Sequence, residues 1–286
     1  MPKTTSPDRT KELSDSIDEI ASAAGARRVA VALYDYRHDR EFSHHGDEWF
    51  HAASTIKVPV MFGVFAEVDA GRFGLNARLH VRNRFLSVGD GRYFRVDAER
   101  DAAGEVHTHI GRALRIGELT RHMIVTSSNL ATNLLVDLVG LDTLRATIDR
   151  HGIEGIELMR GVEDEAAYER DINNRVTARG LVSVLRLIED SALSPESSTR
   201  MLEILHEQEF RSGIPAGLPE GARVANKTGE ISTVAHDAGL VYLPDRHPYA
   251  VAILTEWAPE VTAGRRDTLA SLSRTIYHHL ETDVDA

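Results

Sequence analysis

Apolar side chains recur along this chain with two different periods, and the two are segregated. Near the N-terminus Leu13, Ile17, Ile20 and Ala21 share one stripe of a 3.6-residue repeat. This predicts an amphipathic helix over residues 11–24, ending near Gly25. Residues 28–34 form a continuous apolar run that reads as a buried strand, with 41–49 as its hairpin partner. Close to the C-terminus, 237–243 and 249–255 are two more such runs, joined by the turn signal Pro244-Asp245-Arg246. Residues 223–227 precede them as another strand, and 261–281 read as a closing helix.

The middle of the chain has the helical period instead. Segments 117–125, 127–139, 142–151, 177–189 and 196–207 all carry it, whereas 79–111 is irregular and polar and reads as surface loop. Strands at both ends with helices between them predict an α+β fold. Its antiparallel sheet is built from both termini and flanked by the N- and C-terminal helices, with an inserted all-helical domain. The expected boundaries are 1–57 and 210–286 for the discontinuous sheet domain and 58–209 for the helical one.

Composition narrows the chemistry. The 286 residues suffice for a full-sized core, and no apolar run is long enough to span a membrane. A formal net charge of −11 argues against nucleic acid or an anionic membrane as partner. The chain has no cysteine, which removes thiol nucleophiles, disulfides and Cys-based zinc sites. The N-terminal twenty residues lack an apolar h-region, so no signal peptide is expected in this chain. The expected compartment is the cytoplasm, with an exported protein whose signal has been removed as the alternative.

Four of the 33 basic side chains are lysines, and two of these sit in motif-like settings: Lys57 in Ser54-Thr55-Ile56-Lys57, and Lys227 in Lys227-Thr228-Gly229. Lysine differs from arginine where an amine must lose its proton. Ser54 and Lys57, three apart, face the same way on a helix, where a neutral amine can activate the hydroxyl. Pro59 would clash with the carbonyl four residues earlier, so a regular helix cannot run far upstream and Ser54 lies at the helix start. Ser127-Ser128-Asn129 opens a strongly amphipathic helix; its polar groups fit capping, or a proton relay with substrate orientation. Lys227-Thr228-Gly229 ends a predicted strand and would present a cation, a hydroxyl and a backbone N–H to a ligand.

The order S-x-x-K, S-x-N, K-T-G at these separations resembles the class A β-lactamases and penicillin-binding proteins, from about residue 12 to 282. The resemblance implies a β-lactamase/transpeptidase-like fold and a serine hydrolase that forms an acyl-enzyme on Ser54. Lys57 would be its general base and Ser127 the relay to the leaving group, with Asn129, Lys227, Thr228, Gly229 and Glu230 binding substrate. The oxyanion would meet the N–H groups of Ser54 and Glu230. The implied substrate is a small molecule, a β-lactam or another amide or ester. No cofactor or metal is implied.

Two departures bear on mechanism. Ser128 stands where the family motif usually has Asp. The deacylation glutamate of the family lies in E-x-x-L-N, which is absent; Glu163 and Glu165 in the acidic stretch 160–168 are the candidates, Glu163 lying nearer the counted position. The alternatives to an efficient β-lactamase are a penicillin-binding-type peptidase or esterase with slow β-lactam turnover, and a non-catalytic sensor. His236-Asp237 also raises the prospect of a Ser/His/Asp triad, although no G-x-S-x-G elbow is present. His107, His109, His44, His45, His278 and His279 read as solvated surface.

Overall fold

The structure, a computed structural model, describes residues 3–4, 7–102 and 104–282. Five long strands form the body of one sheet: β1 (Arg28–Asp35), β2 (Arg40–His44), β3 (Arg223–Ile231), β4 (Val234–Leu243) and β5 (Arg246–Glu256). Their order is β2-β1-β5-β4-β3, all antiparallel, with Lys3–Thr4 added in parallel beside β2. The N-terminal hairpin is thereby joined to the C-terminal meander through β1 and β5, where Arg28 pairs with Glu256.

Strand alternation explains the two faces of the sheet. Val29, Val31 and Leu33 of β1 join Val251 and Ile253 of β5 against α1 (Pro7–Ala24) and the C-terminal helix, through Leu13, Ile17, Leu272 and Ile276. The opposite face is lined by the small residues Ala30, Ala32, Ala238, Ala250 and Ala252, which let the helices of the middle region approach closely. Helix α2 (Lys57–Asp69) is apolar around most of its circumference and buried up to its last turn, with Lys57 at its start and Glu67 as its buried charges. Around it pack α3 (Ile116–Val125), α4 (Asn129–Val139), α5 (Leu141–Arg150), α7 (Ala178–Glu189) and α8 (Pro195–His206). A single turn, α6 (Glu165–Tyr168), lies between α5 and α7, and α9 (Arg265–Glu281) closes the chain. Among the described residues no helix is long and apolar enough to cross a membrane.

Several boundaries differ from the sequence expectation, among them the start of the first helix at Pro7 rather than 11 and of the last at Arg265 rather than 261, and some have a clear local reason. β2 stops at His44 rather than 49, because His45 turns into the left-handed region at φ 51°; Phe50–His51 then pairs with a separate small sheet. β3 runs on to Ile231, since a tight turn at Ser232-Thr233 lets the ladder with β4 continue, so Lys227-Thr228-Gly229 lies within the strand and not at its end. Helix α4 begins at Asn129, with Ser128 as cap and Ser127 outside it. The polar stretch 79–111 is closed by a short ladder between Arg78–His80 and Ala113–Arg115, and it carries one short hairpin, Phe85–Leu86 with Tyr93–Phe94, and a 3₁₀ turn, Val106–His109.

Candidate active site

Ser54 lies in a 3₁₀ turn, Ala53–Ile56, that feeds directly into α2. At three residues per turn, positions i and i+3 eclipse, so the Ser54-x-x-Lys57 spacing brings both residues to the same side of the chain. The turn also resolves the Pro59 constraint, placing the proline inside the first turn of α2, where its missing N–H is not needed. Ser54 lines a cleft together with Ser127, Asn129, Thr228, Gly229 and Glu230. Among the described residues its hydroxyl has no hydrogen-bond partner.

Lys57 is fully buried beneath this cleft. Its Nζ donates to the Ser127 carbonyl at 2.7 Å, to Ser127 Oγ at 3.1 Å and to Asn129 Oδ1 at 2.7 Å. Burial pushes its pKa down to about 7, against the opposing pull of the Asp101 and Glu163 carboxylates. Lys227 is equally buried, and its amine is held well below the ordinary lysine range by desolvation first and by the nearby Lys57 second. It donates to the Thr228 carbonyl at 2.8 Å. Two amines this close in a water-poor site disfavour double protonation.

β3 brings its motif against the nucleophile turn at close quarters. A Cβ on Gly229 would stand 3.0 Å from the Ser54 nitrogen and 3.0 Å from the Thr55 nitrogen, so glycine is what permits the approach. Glu230, next along, is exposed, and its carboxylate accepts from Arg266 Nε of α9 at 2.9 Å across the mouth of the cleft.

The two candidate glutamates separate cleanly. Glu163 Oε1 accepts from Asn129 Nδ2 at 2.6 Å, and Oε2 from the Asp97 N–H at 3.1 Å. Glu165 is on the surface, paired with Arg100 at 2.6 Å. The structure thus brings together Ser54, Lys57, Ser127, Asn129, Lys227, Thr228, Gly229, Glu230 and, through Asn129, Glu163. Three backbones around this cluster lie in the left-handed region: Ala53 at φ 44°, Ser127 at 57° and Glu163 at 59°. Such conformations cost about 1–3 kcal/mol each in non-glycine residues and persist where the surroundings impose them.

A His236 triad is excluded by geometry. His236 is buried, its Nε2 faces the His51 carbonyl at 3.0 Å, and its Nδ1 accepts from the Thr255 N–H at 3.2 Å. Burial lowers its pKa to about 4, so both nitrogens are committed in a neutral ring. Asp237 points to the other face of β4, accepting from Asn226 and from the Ile214 N–H, as adjacent strand residues must diverge.

Two histidines expected at the surface are not there. His44 is buried against Asp18 at 2.8 Å, and the His107 side chain, 9% exposed, meets Asp101 at 3.0 Å. Asp101 and cleft-lining residues such as Arg100, Phe210, Ser212 and Arg266 are among the features that the motifs did not reveal. Asp101 also receives the N–H groups that open α4. A lone Asp in an irregular polar stretch carries no periodic or motif signal, so only the fold could bring it here.

Comparison with known proteins places the whole fold. Over residues 12–280 the chain matches the model of the "Beta-lactamase enzyme family". It is similar to the solved structure of PBP-A, with 26% identity over 98% of each chain and a TM-score of 0.83. It is also similar to a β-lactamase from Sphaerobacter thermophilus DSM 20745, with 27% identity over 95% of this chain and 98% of that one, at a TM-score of 0.79. An ancestral class A β-lactamase gives 27% identity over 93% of this chain and 99% of that one, at a TM-score of 0.80. Matched along nearly its whole length, the chain belongs to the beta-lactamase enzyme family.

Proposed function

We propose that this protein is a serine hydrolase that opens amide bonds, β-lactams foremost, through an acyl-enzyme on Ser54. The observation that carries the reading is the state of Lys57: fully buried, bonded to Ser127 and Asn129, with its amine brought down to about 7. Near neutral pH a sizeable fraction is then unprotonated, which an ordinary lysine would not be.

In the acylation step Ser54 Oγ attacks the carbonyl carbon and its proton passes to Lys57 Nζ. A properly placed base of matched pKa contributes about 10²–10⁴-fold. The negative charge on the carbonyl oxygen meets the N–H groups of Ser54 and Glu230. The Ser54 N–H lies in the first turn of a helical segment, where N–H groups lack intrahelical acceptors. Collapse breaks the C–N bond. The leaving nitrogen takes its proton from Ser127 Oγ, which recovers one from Lys57 across the 3.1 Å contact. Thr228 and Arg266 offer donors to an acidic substrate group.

Deacylation needs a base for water, and Glu163 is the carboxylate that faces this side of the cluster. Its two hydrogen bonds leave acceptor capacity on a carboxylate with about four lone-pair positions, enough to hold a water. The same observation supports a second reading. A Glu163 committed to Asn129 and Asp97 deacylates slowly, and the enzyme is then a penicillin-binding-type peptidase or esterase. PBP-A belongs to that comparison: a single-site variant of it, 25% identical to this chain, has been solved as an acyl-enzyme complex with penicillin G.

Incubation with nitrocefin and with penicillin G, followed by intact-mass measurement, tests both readings. An adduct that forms and disappears with turnover supports the lactamase, and a persistent adduct supports the second reading. No adduct in the native protein, or the same behaviour in Ser54→Ala, overturns the assignment of Ser54 and leaves a non-catalytic sensor on this fold.

A further inference from the structure

Asp101 lies in the polar stretch ahead of α3, far in sequence from each motif, yet its side chain is completely shielded from solvent. Four donors converge on it. Oδ1 accepts from the Asn129 N–H at 2.8 Å, and Oδ2 from the Leu130 N–H at 3.1 Å, the Ser128 hydroxyl at 3.0 Å and His107 Nε2 at 3.0 Å. A carboxylate removed from water persists when donors of this kind surround it. The first two N–H groups of α4 also place it where the helix dipole favours an anion.

The residue it meets, Ser128, is where the family motif carries its own Asp. Ser128 retains the capping task, since its Oγ accepts from the Ala131 N–H at 3.2 Å. It cannot supply charge. Asp101 grips Ser128 and Asn129, the two residues that follow Ser127, and Ser127 is the one held in the left-handed region with its carbonyl and hydroxyl turned to Lys57.

We infer that Asp101 is a positioning residue that supplies, from outside the motif, the carboxylate that the Ser127-Ser128-Asn129 turn lacks, and so aims Ser127 and Asn129 at Lys57. It rests on the reading of Lys57 and Ser127 given under Proposed function. The charge has a second effect. The groups facing Lys57 are Asp101, Glu163 from the 160–168 stretch and Lys227 from β3, with His107 behind Asp101. Asp101 stabilises the protonated amine, so removing its charge lowers the pKa of Lys57. The rise of acylation with pH then begins at lower pH, while the maximal rate falls because the turn is no longer held.

The test compares the native protein, Asp101→Asn, and the relocation variant Asp101→Ser/Ser128→Asp, which returns the carboxylate to the family position. Acylation by penicillin G is followed by intact mass across pH. With four lysines in the chain, the Lys57 amine is also titrated directly by NMR after isotopic labelling of lysine. Asp101→Asn is expected to acylate at least about tenfold more slowly at its optimum, with the acid limb and the Lys57 titration both moved down by roughly half a pH unit or more. The relocation variant is expected to recover acylation to within about threefold of native, with the limb restored.

Unchanged acylation and titration in Asp101→Asn overturn the inference. So does a loss that the relocation leaves unrepaired while the Lys57 titration stays in place, since Asp101 is then a structural buttress only. A native protein that forms no adduct, yet whose Lys57 titration moves with Asp101→Asn and returns with the relocation, overturns the assignment of Ser54 and supports the positioning role.

Discussion

The Glu163 carboxylate lies 2.6 Å from the Asn129 side-chain nitrogen, and the oxygen of that same amide lies 2.7 Å from Lys57 Nζ. One planar group therefore joins the candidate deacylation base to the candidate acylation base. Replacing Glu163 by Gln keeps the shape and removes the base. Deacylation in Glu163→Gln is expected to slow by about a hundredfold or more, so that a penicilloyl adduct accumulates. Glu165→Gln breaks only an exposed pair with Arg100, worth at most about 1 kcal/mol, and is expected to keep turnover within about twofold. Steady-state nitrocefin hydrolysis together with intact mass distinguishes them; native turnover in Glu163→Gln removes it from the mechanism.

The Lys57 amine gives a pH dependence with a defined sign. Its pKa is lowered to about 7, and the unprotonated form is the one the proposed acylation step uses. Acylation is therefore expected to climb as pH rises through about 7 and to level off above it, with tenfold loss per pH unit well below. Stopped-flow measurement of adduct formation across pH checks this. A flat profile through that range would mean that a different group takes the Ser54 proton.

The two buried lysines are not equivalent. A guanidinium does not give up its proton, so Lys57→Arg is expected to lose about 10²–10⁴-fold in acylation. Lys227 has to be a cation or donor beside Thr228, and Lys227→Arg keeps that, although the larger head strains a closed site by about 1–3 kcal/mol. Its loss is expected to be at least about tenfold smaller than that of Lys57→Arg. Equal acylation losses, measured with the same substrate, would count against this division of roles.

Glu230 occupies the position after Lys227-Thr228-Gly229 and holds Arg266 by 2.9 Å and 2.8 Å contacts. A substrate carboxylate must compete with Glu230 for that guanidinium. Glu230→Ala is expected to raise the second-order acylation constant severalfold for carboxylate-bearing penicillin G, and to leave a neutral ester substrate within about twofold. Parallel changes with both substrates would show that Glu230 acts through the backbone and not through charge.

Legibility in the sequence followed the physics of each element. Amphipathic helices such as α4 and α7, and strands such as β1 and β5, bury whole faces, so their periods are strong. The region 79–111 is held by one two-residue hairpin ladder, a three-residue ladder at its ends and single side chains such as Asp101 and Asn83, which leave no period to detect. Ser54, Lys57, Ser127 and Lys227 were legible because their spacing encodes mutual geometry. Glu163 was legible only by counting, and its separation from Glu165 needed the fold. Ser127 and Asp101 illustrate the remainder. The left-handed φ of one and the burial of the other arise from long-range contacts that no local pattern records.

The seam between β1 and β5 has a consequence for how the protein is made. Arg28 and Glu256 meet across 228 residues of chain, and Ser54 and Gly229 meet across most of the same span. A ribosome releases Ser54, Lys57 and Ser127 well before β3, β4 and β5 exist. During synthesis the emerging fragment holds a serine and a lysine without the strand that completes their surroundings, and the edge of β1 waits unpaired. Under the proposed function, capacity to acylate would therefore be a property of the finished chain, and a covalent β-lactam label is expected to report completed molecules rather than nascent ones.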